Sequence, residues 1–254
     1  MRDFIKRHQA ACFIALAFGW AWAWWLPVAG TDMSDLAKVS PVFFICAMTG
    51  GFGPTIAGLV VRFCLPKGER NKLLRKPHPG LFLLALAVVP LATLASLAIN
   101  RWLGLPSDPS DIVSRLAIGL VWPLMASLGE EFGWRGLLLP LWSRKGSFWK
   151  PALAIGLIWG LWHLPSDWIG LRHLGWYFIP QYLLVGLVNL TLLSVIMTAI
   201  VKRGNGDIRL AILFHYSITS SAILFGVQGQ TAPLATVAAT AVSQAVLQLF
   251  GALM

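Results

Sequence analysis

Apolar residues in this chain come in long blocks rather than in alternation. The blocks fall at 9–28, 39–65, 80–103, 112–142, 149–165, 176–201, 209–227 and 232–253, with short polar stretches between them. About 20 apolar residues in a helix, rising about 1.5 Å each, cross the hydrocarbon core of a bilayer. The pattern therefore predicts an all-α, polytopic membrane protein with about eight transmembrane helices. The fourth block is too long for one straight crossing. Gly133, Gly136 and Pro140 predict that it bends or breaks just after its charged residues. The fifth block is short and is expected to close at Pro165. Inside the second, Gly50-Gly51-Phe52-Gly53-Pro54 suits close helix packing or a kink. No internal repeat, low-complexity tract or glycine-rich phosphate loop interrupts the blocks, so residues 1–254 read as a single membrane-embedded domain.

Composition sharpens this picture. Only 12% of residues are charged and 57% are hydrophobic, against about 25% charged in an ordinary soluble domain. Mean hydropathy is +0.72. The formal net charge of +10 would point a soluble protein toward nucleic acid. In a membrane protein it points to basic loops on the cytoplasmic side and contact with lipids, with no nucleic acid as partner. Arg2, Lys6 and Arg7 precede the first block, Arg62 stands at the end of the second, and Lys67, Arg70, Lys72, Arg75 and Lys76 follow it. Arg144, Lys145 and Lys150 follow the fourth, and Lys202, Arg203 and Arg209 follow the sixth. The alternate loops hold only Lys38, Arg101, Arg115 and Arg172, beside Asp32, Asp35, Asp108, Asp111 and Asp167. Both termini are thus expected in the cytoplasm. The first block resembles a signal peptide, but its length and its Trp20, Trp22, Trp24 and Trp25 suit a retained span with an interfacial anchor. Cys12, Cys46 and Cys64 have no metal-like spacing and read as unpaired packing residues.

The ionisable residues deep inside blocks are Glu130, Glu131, Arg135, His163 and His215. Charge in hydrocarbon is costly, so such groups gather and mark function by default. Glu131 and Arg135, four apart with the acid first, face each other on a helix. Glu130 points about 100° away and has no basic partner in the sequence, which leaves it as the candidate base. The alternative is a purely structural ion-pair cluster. Counting helix rise, Glu130 lies about 21 Å from Arg144 and His163 about 20 Å from Lys150, so the two share a level. His215, about 9 Å from Arg209, lies shallower. A cavity open to the cytoplasmic side is expected to collect all three. Thr219, one turn after His215, shares its face, the alternative being a back-bond to the carbonyl of residue 215. Each histidine alone is as well explained as a helix tie. With Glu130 and a hydroxyl they form a workable hydrolase set.

Glu130-Glu131-Phe132-Gly133-Trp134-Arg135-Gly136 resembles the first motif of the CPBP family, the CAAX proteases and bacteriocin-processing (Abi) membrane proteins. Trp159 to His163 resembles the second motif, with tryptophan in place of the commoner phenylalanine, and His215 to Thr219 the third. At the last position the family usually carries asparagine or aspartate. The resemblance implies an intramembrane endopeptidase similar to the type II CAAX prenyl protease, with a protease-like core at about 112–227. It implies that Glu130 and His163 activate a water, that His215 and residue 219 stabilise the oxyanion, and that Glu131 and Arg135 support them. A metal-free site is expected. The alternative is a zinc ion held by Glu130, His163 and His215. The expected substrate is a membrane-associated peptide or protein, and the expected location is a bacterial plasma membrane. Two other functions remain open at this point: a non-catalytic scaffold or immunity protein of the same family, and a small proton-coupled transporter, although no inverted repeat is visible.

Overall fold

A computed structural model describes residues 2–33, 38–102 and 112–225. The described residues form helices and no strand. The first block becomes α1 (Arg2–Arg7) and α2 (Gln9–Trp25), with a 3-10 turn carrying the run to Val28. The second divides at Phe52 into α3 (Pro41–Gly51) and α4 (Gly53–Cys64), each opened by an early proline. The hydroxyl oxygen of Ser40 caps α3 by accepting from the Val42 N–H. The third block is α5 (Gly80–Trp102). The fourth is α6 (Ile112–Gly133), a π-helical turn at Trp134–Leu138, and α7 (Leu139–Trp142). The bend expected after the carboxylates is that π turn.

The fifth block departs from expectation. α8 (Trp149–Trp162) turns at His163 and continues as α9 (Leu164–Leu171). Pro165 does not close the span. It sits in the first turn of α9, where its missing N–H has no helical partner to lose. The chain reverses over Arg172–Tyr177, where Gly175 takes φ 60°. It returns through α10 (Phe178–Gln181), a π segment at Tyr182–Asn189, and α11 (Leu190–Arg203). α12 (Ile208–Leu224) forms the seventh block. The eighth expected span, 232–253, lies outside the described residues.

Gln9–Val28, Pro41–Cys64 and Leu164–Arg203 are long and apolar enough to cross a membrane, and Gly80–Ala95 and Ile208–Leu224 are shorter apolar helices. Phe63, Leu83 and Val121 face outward, as a lipid-facing belt requires. The protein is an integral membrane protein.

Contacts fix the helix directions. The indole N–H groups of Trp20 and Trp25 on α2 donate to the Thr49 and Ala47 carbonyls of α3. The Ser194 and Tyr182 hydroxyls donate to the Ala152 and Gly160 carbonyls, which makes the returning segment antiparallel to α8. α4 and α6 run parallel with their backbones touching, so that a Cβ on Gly58 would lie 3.0 Å from the Gly133 Cα. Only glycine permits that approach.

The basic loops gather at one end. Lys6 pairs with Glu69 at 2.6 Å, and the Ile208 N–H donates to the Leu73 carbonyl at 3.0 Å. Lys202 donates to the Ser147 carbonyl at 3.1 Å. Asp207 accepts from the Arg75 N–H at 2.6 Å and from Arg209. Burial raises the Asp207 pKa, but the Arg209 side chain and the N–H groups of Arg75 and Arg209 outweigh it, so the carboxyl lies below its ordinary value. At the opposite end Arg172 ties to the Gly30 carbonyl.

Candidate active site

The last turns of α6 are pinned from outside. The Thr55 hydroxyl donates to the Leu128 carbonyl at 2.8 Å, and a Cβ on Gly129 would lie 2.8 Å from the Gly51 carbonyl oxygen. Ser127, Glu130, Glu131 and Arg135 are buried as a result.

Glu131 and Arg135 pair as the four-residue spacing predicts. One guanidinium nitrogen lies 3.1 and 3.2 Å from the two carboxylate oxygens. Glu131 also holds His215, whose Nδ1 lies 2.8 Å from Oε1. Because a carboxylate only accepts, that Nδ1 carries the proton, and His215 Nε2 is left pointing toward Glu130. The Arg135 guanidinium lies 4.7 Å above the Trp159 ring.

Glu130 is not free, contrary to the reading of the charges alone. Its Oε2 accepts the indole N–H of Trp159 at 2.5 Å. A neutral donor is invisible to a search for basic partners, and Trp159 signals itself only as the aromatic residue four before His163. The other oxygen, Oε1, stands 4.0 Å from His163 Nε2 and 4.0 Å from His215 Nε2. Both gaps are too long for a direct hydrogen bond and fit a bridging water. His163 Nδ1 lies 2.9 Å from the Trp159 carbonyl, which fixes that nitrogen as the donor and turns Nε2 toward the carboxylate. Sequence counting placed His215 shallower than the others. The structure brings it level with them, because α12 begins at Ile208 beneath the π turn and packs antiparallel to α6, with Gly136 against Ile208.

A cavity of about 670 Å³ reaches Glu130, His163, His215 and Thr219. The Thr219 hydroxyl makes no hydrogen bond within the described residues, so the back-bond to residue 215 is not formed and the group is available to the cavity. The cavity does not open toward the basic loops. It is lined on α6 by residues before Glu130, on α9 by residues after His163, and on α12 by residues after His215. Those positions all lie away from the basic end. The expectation of an opening on the basic-loop side is corrected, and the cause is a plug. Trp134, Leu138, Trp162 and Phe13 are fully buried beneath the site. Trp134 meets Phe13 and Trp162 edge-on at 5.1 and 6.0 Å. A separate cavity of about 230 Å³ enters from the basic end and stops at Arg135.

Two wall residues were assigned to outer loops by their charge. Arg115 and Asp167 line the large cavity, and Arg115 Nη1 and Asp167 Oδ2 are buried without a hydrogen-bond partner among the described residues. Asp167 stands one helical turn after His163, and that spacing was the available signal. No cluster of three or more His, Cys, Asp or Glu at metal-holding geometry occurs among the described residues. Of the set that a zinc ion would use, Glu130, His163 and His215, one Glu130 oxygen is already committed to Trp159. All three cysteines are unpaired.

Residues 112–221 match the family model described as type II CAAX prenyl endopeptidase Rce1-like. The chain is also similar to CAAX prenyl protease 2 of Methanococcus maripaludis, with 24% identity over 225 residues, covering 80% of each chain. The matched region contains all three motifs.

Proposed function

We propose that this chain, which resembles the Rce1-like type II CAAX prenyl endopeptidases through residues 112–221, is an intramembrane endopeptidase that hydrolyses a membrane-associated peptide or protein in a bacterial plasma membrane. The observation that carries the reading is the meeting of Glu130, His163 and His215 at one oxygen, Glu130 Oε1, on a cavity closed at one end. A water between Glu130 Oε1 and His163 Nε2 would lose a proton to the carboxylate as its oxygen adds to the scissile carbonyl carbon. The resulting oxyanion would accept hydrogen bonds from His215 Nε2 and the Thr219 hydroxyl. Collapse would break the C–N bond, and the proton held by Glu130 would pass to the leaving nitrogen.

His215 can donate from Nε2 only as the imidazolium, since its other N–H is committed to Glu131. The charges then cancel: Glu130 and Glu131 against Arg135 and His215, with His163 neutral. That balance supports the reading, because an uncompensated buried charge costs several kcal/mol. Glu131 and Arg135 are positioning residues. Thr219 offers one donor where the family that the chain resembles usually has an amide or acid, and this feature favours the non-catalytic scaffold as the second reading.

Glu130→Gln in detergent-purified protein separates the two. The peptidase reading expects cleavage to fall by about 10²–10⁴-fold, the usual worth of a general base, with an unchanged melting profile. Undiminished turnover would remove Glu130 as the base, and a wild type with no turnover would favour the scaffold. We further propose that no metal takes part. Cleavage should survive prolonged chelation, and loss of activity restored by zinc would reverse that conclusion.

A further inference from the structure

We propose that the cavity is loaded from the extracytoplasmic side, and that its substrate is an apolar segment of an exported or membrane-inserted polypeptide presented at the outer leaflet. The word substrate rests on the peptidase reading, but the sidedness does not.

Two independent observations meet here. The first is charge. Of the 20 lysines and arginines, fifteen lie before the first block or in the loops 62–79, 143–150 and 202–209, four lie in the alternate loops, and Arg135 lies between. Hydrogen bonds join the four segments that carry those fifteen at one end, through Lys6 to Glu69, Arg75 to Asp207 and Lys202 to Ser147. An asymmetry of that size retains the basic end in the cytoplasm. The second is the course of the cavity. From Glu130 it follows α6 back to Arg115, from His163 it follows α9 forward to Gly170, and from His215 it follows α12 forward to Ile223. Three helices running in different directions give the same answer, because α6 descends toward the basic end while α9 and α12 leave it. The buried Trp134, Leu138 and Trp162 close the other route.

The walls name the chemistry. Phe43, Phe44, Met48, Trp122 and Met125 are apolar, while Arg115 and Asp167 supply one charge of each sign. A volume of about 670 Å³ holds a few extended residues rather than a second helix. Such a site suits an apolar polypeptide stretch that has unwound near the membrane surface, with its backbone free to meet Arg115, Asp167 and the catalytic groups.

The test is cysteine accessibility in the full-length chain after Cys12, Cys46 and Cys64 are replaced by serine. Gly170→Cys marks the cavity, and a Cβ there meets nothing within 4 Å. Ser147→Cys marks the exposed basic end. A membrane-impermeant maleimide is applied to intact spheroplasts and to inside-out vesicles. Gly170→Cys should react in spheroplasts only and Ser147→Cys in inside-out vesicles only. Reaction of Gly170→Cys in inside-out vesicles, of both cysteines from one face, or of Gly170→Cys from neither, overturns the proposal. The measurement needs no turnover. A correct labelling pattern in a wild-type protein that cleaves no membrane-associated peptide would remove the peptidase assignment and leave the sidedness standing.

Discussion

Trp159 shows how one side chain can serve a site three ways. Its indole N–H holds Glu130 Oε2, its carbonyl fixes the tautomer of His163, and its ring lies under the Arg135 guanidinium. Phenylalanine at this position would keep an aromatic ring and the carbonyl, lose the donor and fill the buried site less fully. Trp159→Phe should therefore cost at least about 1.5–3 kcal/mol, the worth of a hydrogen bond to a charged group, with the smaller ring adding to it. It should also slow cleavage, because Glu130 loses the contact that sets its orientation. Thermal melts in detergent and initial rates on one substrate check the two halves. At this scale the sequence was informative wherever charge or helical spacing carried the information. Glu131 with Arg135 followed from four-residue spacing. Glu131 with His215 joins helices 84 positions apart, and no local pattern encodes it.

Among the elements, the break after α6 governs the rest. Gly133 lies against the Pro54 carbonyl, and the π turn that follows carries Trp134 and Arg135 inward. A Cβ at residue 133 would overlap that carbonyl. Gly133→Ala should destabilise the protein by about 1–3 kcal/mol through overpacking, read as a lower melting temperature, whereas Gly170→Ala should be neutral. The sequence announced a bend here through Gly133, Gly136 and Pro140, and the helix blocks through hydrophobicity alone. It misplaced the end of the fifth block because a proline can open a helix as well as end one. Whether Pro165 does the first or the second depends on the turn at His163, which tertiary packing sets.

For the whole molecule, loops far apart in sequence are fastened at the basic end by Asp207. Its carboxyl pKa is held below the ordinary value in the folded protein, so it contributes stability above the unfolded carboxylate range near pH 3.9. That contribution falls away as pH drops through the lower, folded value. Between pH 7 and pH 3 the native protein should lose melting temperature more steeply than Asp207→Asn, which starts lower and titrates less. Alternation of loop charge made this end legible before the structure, but the direction of the cavity was not. Helix rise measures distance from a loop and carries no record of which side is plugged. The plug has an electrical consequence. Wherever water fills the two cavities, the bilayer is thinned to the layer between Glu130 and Arg135, about 7.5 Å along the helix. Membrane voltage then drops mainly across that layer rather than across the full lipid thickness. A charge crossing it is worth about 2.3 kcal/mol per 100 mV.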